Sequence, residues 1–439
     1  MKKIYLQSLG CSKNLVDSEN MLGILKKKGY EIVEYADKSD YIIINTCSFI
    51  NDAKEESINS IIEAVQLKGQ NDIKVIVTGC LAQRYSEDLL KEIPEIDILI
   101  GTYEYEKIDQ LIEEYENKNK RVINVKVDET IVEDLPRNLL TPKYYAFLKI
   151  SEGCSNHCTY CVIPKIRGKY RSRKMEDILN EARILSNEGV KEMILIAQDT
   201  SKYGTDLYGE RQLHILIQEL SKIEDIKWIR VHYLYPEDLY DELIEEFKHN
   251  DKLLKYFDIP LQHISDDILK RMNRNTNKEQ ITGLINKIRK EIPDAVIRTS
   301  LITGFPGEIE EDHEMLKQFL IEYKLDRVGV FKYSREENTA AYKLKNQIKE
   351  ETKELRQEEL MKIQQEISYN NNAARIGKSY DVMIDEDSGD NEYLGRTYMD
   401  SPEIDGSVFV NSNVKLNIGE IYKVNIVDAL EYDLIGDVV

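Results

Sequence analysis

Three cysteines within eight residues, Cys154-Ser-Asn-His-Cys158-Thr-Tyr-Cys161, make a C-x3-C-x2-C set suited to a metal centre. A [4Fe–4S] cluster ordinarily takes four thiolates. Three therefore leave one iron with an open position, where a substrate or cofactor can bind. A closed Cys3His zinc site with His157 as fourth ligand is the alternative. The remaining cysteines, Cys11, Cys47 and Cys80, lie 36 and 33 residues apart, so no local motif joins them. Each, however, ends a predicted strand. In a doubly wound sheet the carboxyl ends of neighbouring strands face one crevice. Three thiols can meet there, again with one position open; free cysteine also packs simply as a small hydrophobe.

The elements that must position these thiols follow from the hydrophobic pattern. KIYLQSLGC (3–11), DYIIINTC (40–47), IKVIVTGC (73–80) and EIDILIG (95–101) read as strands. Amphipathic helices over 18–29, 52–68 and 106–117 alternate with them, which implies a doubly wound parallel sheet. Residues 118–141 are polar and irregular, as expected of a linker. Six further strands are predicted at 145–151, 192–198, 228–234, 256–262, 295–303 and 327–334, each separated from the next by helical sequence. They suggest a partial or complete β/α barrel, in which the loops after the strands carry the chemistry. A charged helical stretch follows Tyr342. Beyond residue 372 come short strands with Gly, Pro and Asp turns, a small all-β barrel. The expected division is 1–117, a linker at 118–141, 142–371 and 372–439.

The barrel face offers further candidates. Gln198 and Asp199 end its second strand, and His263 ends the fourth, where a histidine serves equally as a structural hydrogen-bond partner. SLITGFPGE (300–308), with Thr303 and Gly304, is a Gly-rich strand-to-helix turn that permits close backbone approach. Lys165, Arg167, Lys169, Arg171, Arg173 and Lys174 form a basic run. It reads either as a solvated loop or as a site, Arg171 included, for an acidic side chain or another carboxylate.

Composition narrows the function. The 439 residues carry 80 acidic and 60 basic side chains, a formal charge of −20. This argues against a general nucleic-acid binder, which needs cations to displace phosphate counterions, and suits a basic protein partner. No run approaches the roughly 18 apolar residues of a membrane span. The start MKKIYLQSLGC lacks the apolar region of a signal peptide. A cytoplasmic protein with reduced thiols is expected.

CSNHCTYCVIPKIRGKYRSR closely resembles the cluster motif of radical S-adenosylmethionine (SAM) methylthiotransferases. GCSKNLVDSE, NTCSFI and TGCLAQRY resemble that family's N-terminal domain, and the β tail resembles its TRAM domain. The resemblance spans essentially the whole chain. It implies a flavodoxin-like domain, a radical SAM barrel and a five-stranded TRAM barrel. It also implies two [4Fe–4S] clusters, one on Cys154, Cys158 and Cys161 and a sulfur-carrying one on Cys11, Cys47 and Cys80. SAM would chelate the open iron of the first and yield a 5′-deoxyadenosyl radical; a further SAM would supply the methyl group. Gly304 and its neighbours resemble a segment lying along SAM. Tyr160 would pack on adenine or against the cysteine loop.

The family divides into tRNA modifiers and a branch that methylthiolates an aspartate of a small-subunit ribosomal protein, the one numbered twelve. GCSKNLVDSE and HYLYP (232–236) resemble the protein branch, whereas tRNA-modifying relatives more often begin GCQMN. From Ala373 to Val439 there are 5 Lys or Arg against 14 Asp or Glu, a balance of 5 − 14 = −9. A domain gripping tRNA should be basic, and a basic ribosomal protein would be drawn to this surface. A tRNA substrate and a non-catalytic iron–sulfur or zinc protein are the alternatives. An external reductant and a sulfur donor are further expected partners, and a membrane is not.

Overall fold

Strands that pack on both faces must be apolar throughout, and the first unit is built on two such strands. The computed structural model describes residues 1–69, 72–127 and 129–439. Strands β1 (Lys3–Ser8), β2 (Glu31–Ile32), β3 (Tyr41–Thr46), β4 (Lys74–Gly79), β5 (Ile98–Ile100) and β6 (Val122–Asn124) form one parallel sheet in the order β2-β1-β3-β4-β5-β6. All of YIIINT in β3 is buried, as a central parallel strand requires. The sequence pattern indicates only four of these strands. The two-residue β2 is too short to show a period. The three-residue β6 lies inside the stretch read as a linker, of which Asp128 is outside the described residues.

The helices α1 (Ser12–Lys27), α2 (Asn51–Lys68) and α3 (Cys80–Arg84) cover this sheet. Helix α1 begins six residues before the apolar pattern suggests. Its first turns bury Lys13, Asn14, Asp17 and Glu19 toward the neighbouring segments and Ser18 against Ser8 and Asn45 of its own sheet, so the burying face there is polar.

The central unit places β7 (Tyr145–Lys149), β10 (Glu192–Ile196) and β11 (Trp228–Val231) in one parallel sheet. A short hairpin of β8 (Ser151–Glu152) and β9 (Arg171–Ser172) follows β7. A second parallel sheet holds β12 (Tyr256–Asp258), β13 (Val296–Thr303) and β14 (Arg327–Lys332). The Leu234 amide donates to the Asp258 carbonyl at 2.8 Å and joins the two sheets into one six-stranded arc. The barrel is partial, open between β7 and β14.

The N-terminal unit touches both rims of that opening. On the β7 side Asp17 pairs with Lys149 and Arg167. On the β14 side the buried Glu336 pairs with Lys54 at 3.0 Å and Arg84 at 2.8 Å. The residues after the long helix Glu350–Ala373 close a five-stranded barrel from β15 (Ser379–Gly389), β16 (Glu392–Arg396), β17 (Val408–Asn411), β18 (Ile421–Ala429) and β19 (Leu434–Val438). Its loop Thr397–Asp405 lodges in the base of the larger barrel. There Arg230 donates to the Tyr398 carbonyl, His232 meets the Ser401 hydroxyl at 3.0 Å, and Arg327 pairs with Asp400 at 2.6 Å. Among the described residues no helix is long and apolar enough to cross a membrane.

Candidate functional site

The strand order explains how distant cysteines come together. Cys11, Cys47 and Cys80 follow β1, β3 and β4, three adjacent strands, at the point where strand order reverses. Cys11 caps α1, whose amide end favours negative charge. Gly10 and Gly79 make the crossing possible. Both have left-handed φ (84° and 93°). A Cβ on Gly10 would sit 2.6 Å from the Cβ of Cys47, and one on Gly79 would sit 2.3 Å from Asn45 Oδ1. The Asn14 amide donates to the carbonyls of Leu9 and Thr46, tying two of the turns, while its oxygen lies 3.7 Å from the Cys80 sulfur. Burial pushes the Cys80 thiol up to about 12, and the neighbouring Cys11 and Cys47 add to the rise.

The second triad occupies the loop after β8. Gly153 (φ 73°) packs so tightly that a Cβ would lie 2.1 Å from the Lys169 carbonyl. The Cys154 amide donates to the Gly168 carbonyl, Thr159 donates to the carbonyls of Met272 and Arg271, and the Ala341 amide donates back to the Thr159 carbonyl. Burial raises Cys154 to about 11 and Cys161 to about 12, with Cys158 adding to both. Arg274 approaches the Cys158 sulfur at 3.9 Å and is fixed by Glu237 and the Pro260 carbonyl. His157 is exposed, and among the described residues only its backbone carbonyl is engaged, by Asn273. It does not close a zinc site.

The donor chemistry fits clusters. Among the described residues both sets are thiols without a fourth protein ligand, and buried protonated thiols release their protons when metal binds. Among the described residues no three His, Cys, Asp or Glu side chains converge tightly enough for a single ion. A multi-iron cluster spaces its ligands more widely than one ion does.

Between the triads runs a buried ionic network. Lys149 bonds Asp17 and Glu152, and Arg167 bonds the same two carboxylates at 2.7 and 3.1 Å. Arg167 also reaches Asn14 and, at 3.8 Å, the Cys80 sulfur. It therefore spans from the barrel's own loop to the other domain's triad. Opposing carboxylates hold its pKa well above the usual arginine value, although burial opposes the charge. Arg167→Met leaves Lys149 as the one cation, among the described residues, facing both Asp17 and Glu152. Breaking a buried pair on one side costs about 3–5 kcal/mol. Thermal unfolding should show that loss, and adding Asp17→Asn should recover part of it; a neutral Arg167→Met would remove the network from the interface energetics.

The other candidates fall into place unevenly. Gln198 donates to Glu152 at 2.9 Å while its Oε1 is buried and unpartnered. Asp199 accepts from Asn156 beside the cysteine loop, its Oδ1 is unpartnered, and burial raises it to about 6. These two acceptors next to Cys154 suit a polar ligand. His263 is fully buried; Nδ1 accepts from the Ser265 amide and Nε2 lies 3.6 Å from Glu308. Glu308 in turn receives the amides of Gly304 and Phe305, the Thr303 hydroxyl and Arg356. Gly304 (φ 72°) is needed for packing, because its missing side chain would strike Lys353 at 2.3 Å. Tyr160 packs with Met272 and Phe305 in a small apolar cluster.

The basic run is largely spent on internal partners. Arg171 donates to the carbonyls of Lys169 and Arg167 and lies over Tyr103; Arg173 pairs with Glu133 and Glu181; Lys165 donates to the Asn338 carbonyl. The sequence reading missed Lys13, Asn14 and Arg274, and it did not connect Arg167 to the N-terminal triad. The first two lie in GCSKN beside Cys11, and that adjacency was the available signal.

A partial β/α barrel with a three-thiol loop after its first strand defines the class, a radical SAM protein. The family descriptions that match are an uncharacterized protein family UPF0004 over 3–101, the radical SAM superfamily over 148–320 and a TRAM domain over 376–439. The chain is 54% identical over 439 residues to the ribosomal protein uS12 methylthiotransferase RimO of Clostridioides difficile (strain 630), covering 100% of this chain and 99% of that one. It is also 54% identical to the protein of the same name from Thermoanaerobacter sp. (strain X514), with 100% of each chain covered. The chain belongs to the RimO family. Among solved structures, the radical SAM methyltransferase TsrM from Kitasatospora setae matches with a TM-score of 0.54 at 12% identity, covering 75% of this chain and 73% of that chain. The cobalamin-dependent SAM radical enzyme OxsB matches with 0.52 at 13%, covering 78% of this chain and 54% of that chain. At such identities these two share the fold alone.

Proposed function

We propose that this protein is a radical SAM methylthiotransferase that adds a methylthio group at the β-carbon of an aspartate in ribosomal protein uS12. The observation that carries this reading is the pairing of two three-thiol sets across one buried interface, linked by Arg167. Cys154, Cys158 and Cys161 hold the reducing cluster, and Cys11, Cys47 and Cys80 hold the sulfur-side cluster. When bound, such clusters and SAM supply the radical that removes an unactivated hydrogen and the sulfur that replaces it.

The chain's own residues orient and exclude. Asn156, held by Asp199 and Lys202, fixes the cysteine loop. Gln198 and Asp199 offer acceptors to SAM, and Glu308 with Arg356 sets the turn at Thr303 and Gly304. The N-terminal unit, 1–117, seals both rims of the open barrel against water. We assign 118–141 to the connection, apart from β6, which completes the N-terminal sheet, 142–371 to the barrel unit and 372–439 to the acidic C-terminal unit. A reductant and a sulfur donor complete the reaction. A tRNA substrate is less well matched to the −9 balance of the C-terminal unit.

The anaerobically reconstituted enzyme, given SAM, sulfide and a reductant, should modify uS12 and not tRNA. Mass spectrometry reads the added methylthio group on either substrate. Modified tRNA with untouched uS12 would reverse the substrate assignment while keeping the chemistry.

A further inference from the structure

Lys13 is buried, 7% exposed, and lies two residues after Cys11 at the start of α1. Its ammonium stands 3.5 Å from the centroid of the Tyr233 ring and 3.4 Å from the Ala197 carbonyl. Both contacts come from the barrel: Ala197 follows β10, directly before Gln198 and Asp199, and Tyr233 follows β11. The amine therefore sits where the N-terminal triad meets the catalytic end of the barrel. Among the described residues it has no carboxylate partner. Its neighbours Lys149 and Arg167, by contrast, share Asp17 and Glu152.

An ammonium has three donors, and Lys13 uses one on a carbonyl. Removing it from water costs several kcal/mol, against which stand the Tyr233 ring, the Ala197 carbonyl and the Cys11 thiol two residues away. The surroundings are nonetheless built to hold it. Tyr233 adopts a left-handed backbone (φ 62°), a conformation costly for a bulky residue. The Asp258 carboxylate receives its amide at 3.0 Å and fixes it there. A strained tyrosine presenting its ring to a buried cation that has no carboxylate among the described residues is an arrangement that an incoming carboxylate completes. The basic run around Arg171 cannot fill this role, since its buried members are already paired.

The reaction proposed above acts on an aspartate, whose carboxylate is bonded to the carbon that is functionalised. We infer that Lys13 receives the side-chain carboxylate of the target aspartate and thereby positions its β-carbon between the two triads. This rests on the uS12 reading. Charge-assisted bonds of this kind discriminate by about ten- to hundred-fold.

The test measures binding of uS12 and of a uS12 variant whose target aspartate is replaced by asparagine. Wild-type enzyme should prefer the aspartate form by about ten-fold or more. Lys13→Met should bring that preference close to unity and sharply reduce methylthiolation, with iron content and SAM affinity at wild-type values. A preference that survives Lys13→Met overturns the inference. So does a selective loss of SAM affinity, which would give the ammonium to the SAM carboxylate. Loss of iron from the variant would also overturn it, by making Lys13 structural. If wild-type enzyme leaves uS12 unmodified, the functional reading itself fails; if uS12 is modified and only the preference is unchanged, Lys13 alone is excluded.

Discussion

Cys158→Ala is expected to reduce reductive SAM cleavage to background while the sulfur-side cluster remains. The substitution removes the middle thiol of the loop, and two thiols cannot hold a [4Fe–4S] cluster stably. The loop itself should keep its shape. Its fixing bonds run through the Cys154 amide, Thr159 and Asn156, none of which needs the Cys158 sulfur. The other triad stands on the ends of β1, β3 and β4, a separate sheet. Iron content should therefore fall by about half, not to zero. The readouts are 5′-deoxyadenosine formed per chain and the spectroscopic signal of the remaining cluster. Undiminished 5′-deoxyadenosine would show that this triad does not hold the reducing cluster.

The reciprocal change, Cys47→Ala, should spare SAM cleavage and abolish the methylthiolated product. Cys47 ends the central strand β3 and packs against Gly10, so alanine keeps the backbone contact and removes only sulfur. Its thiol is raised by burial and by Cys11, as expected of a group that is neutral until metal displaces its proton. 5′-Deoxyadenosine should form at a normal rate without sulfur transfer. Normal product from this variant would end the sulfur-carrier assignment of the N-terminal triad. Together the two variants separate radical generation from sulfur insertion.

Much of this arrangement could be read from local pattern. Parallel strands buried on both faces announce themselves as apolar runs, and the three distant cysteines each followed one of them. The six strands of the partial barrel were likewise legible because helices of ordinary period separate them. What escaped was everything whose partner lies in another domain. The first turns of α1 look solvated in sequence, yet Lys13, Asn14, Asp17 and Glu19 are buried against the barrel and its connecting segment. A hydrophobic pattern cannot register a polar burying face. The basic run from Lys165 was ambiguous because its partners are scattered along the chain: Asp17 and Glu133 precede the barrel, while Glu152 and Glu181 lie on two separate elements within it. Gly304 has a second reason to be glycine that the sequence does not show, because a side chain there would strike Lys353 from a helix some fifty residues later. Short edge strands such as β6 carry too few residues to show any period.

The loop Thr397–Asp405 limits how this enzyme can be recombined. The C-terminal unit looks like a cartridge joined at the end of the helix Glu350–Ala373. Yet its loop supplies the floor beneath the barrel, where Arg298 and Tyr256 meet Asp405 and Arg327 meets Asp400. A chimera cut at the helix end would seat a foreign floor under native arginines and strand their charges. Only the solvent-facing strands of the small barrel are free to be exchanged. Partner choice can thus diverge among relatives on that outer surface, while the inserted loop stays bound to the chemistry above it.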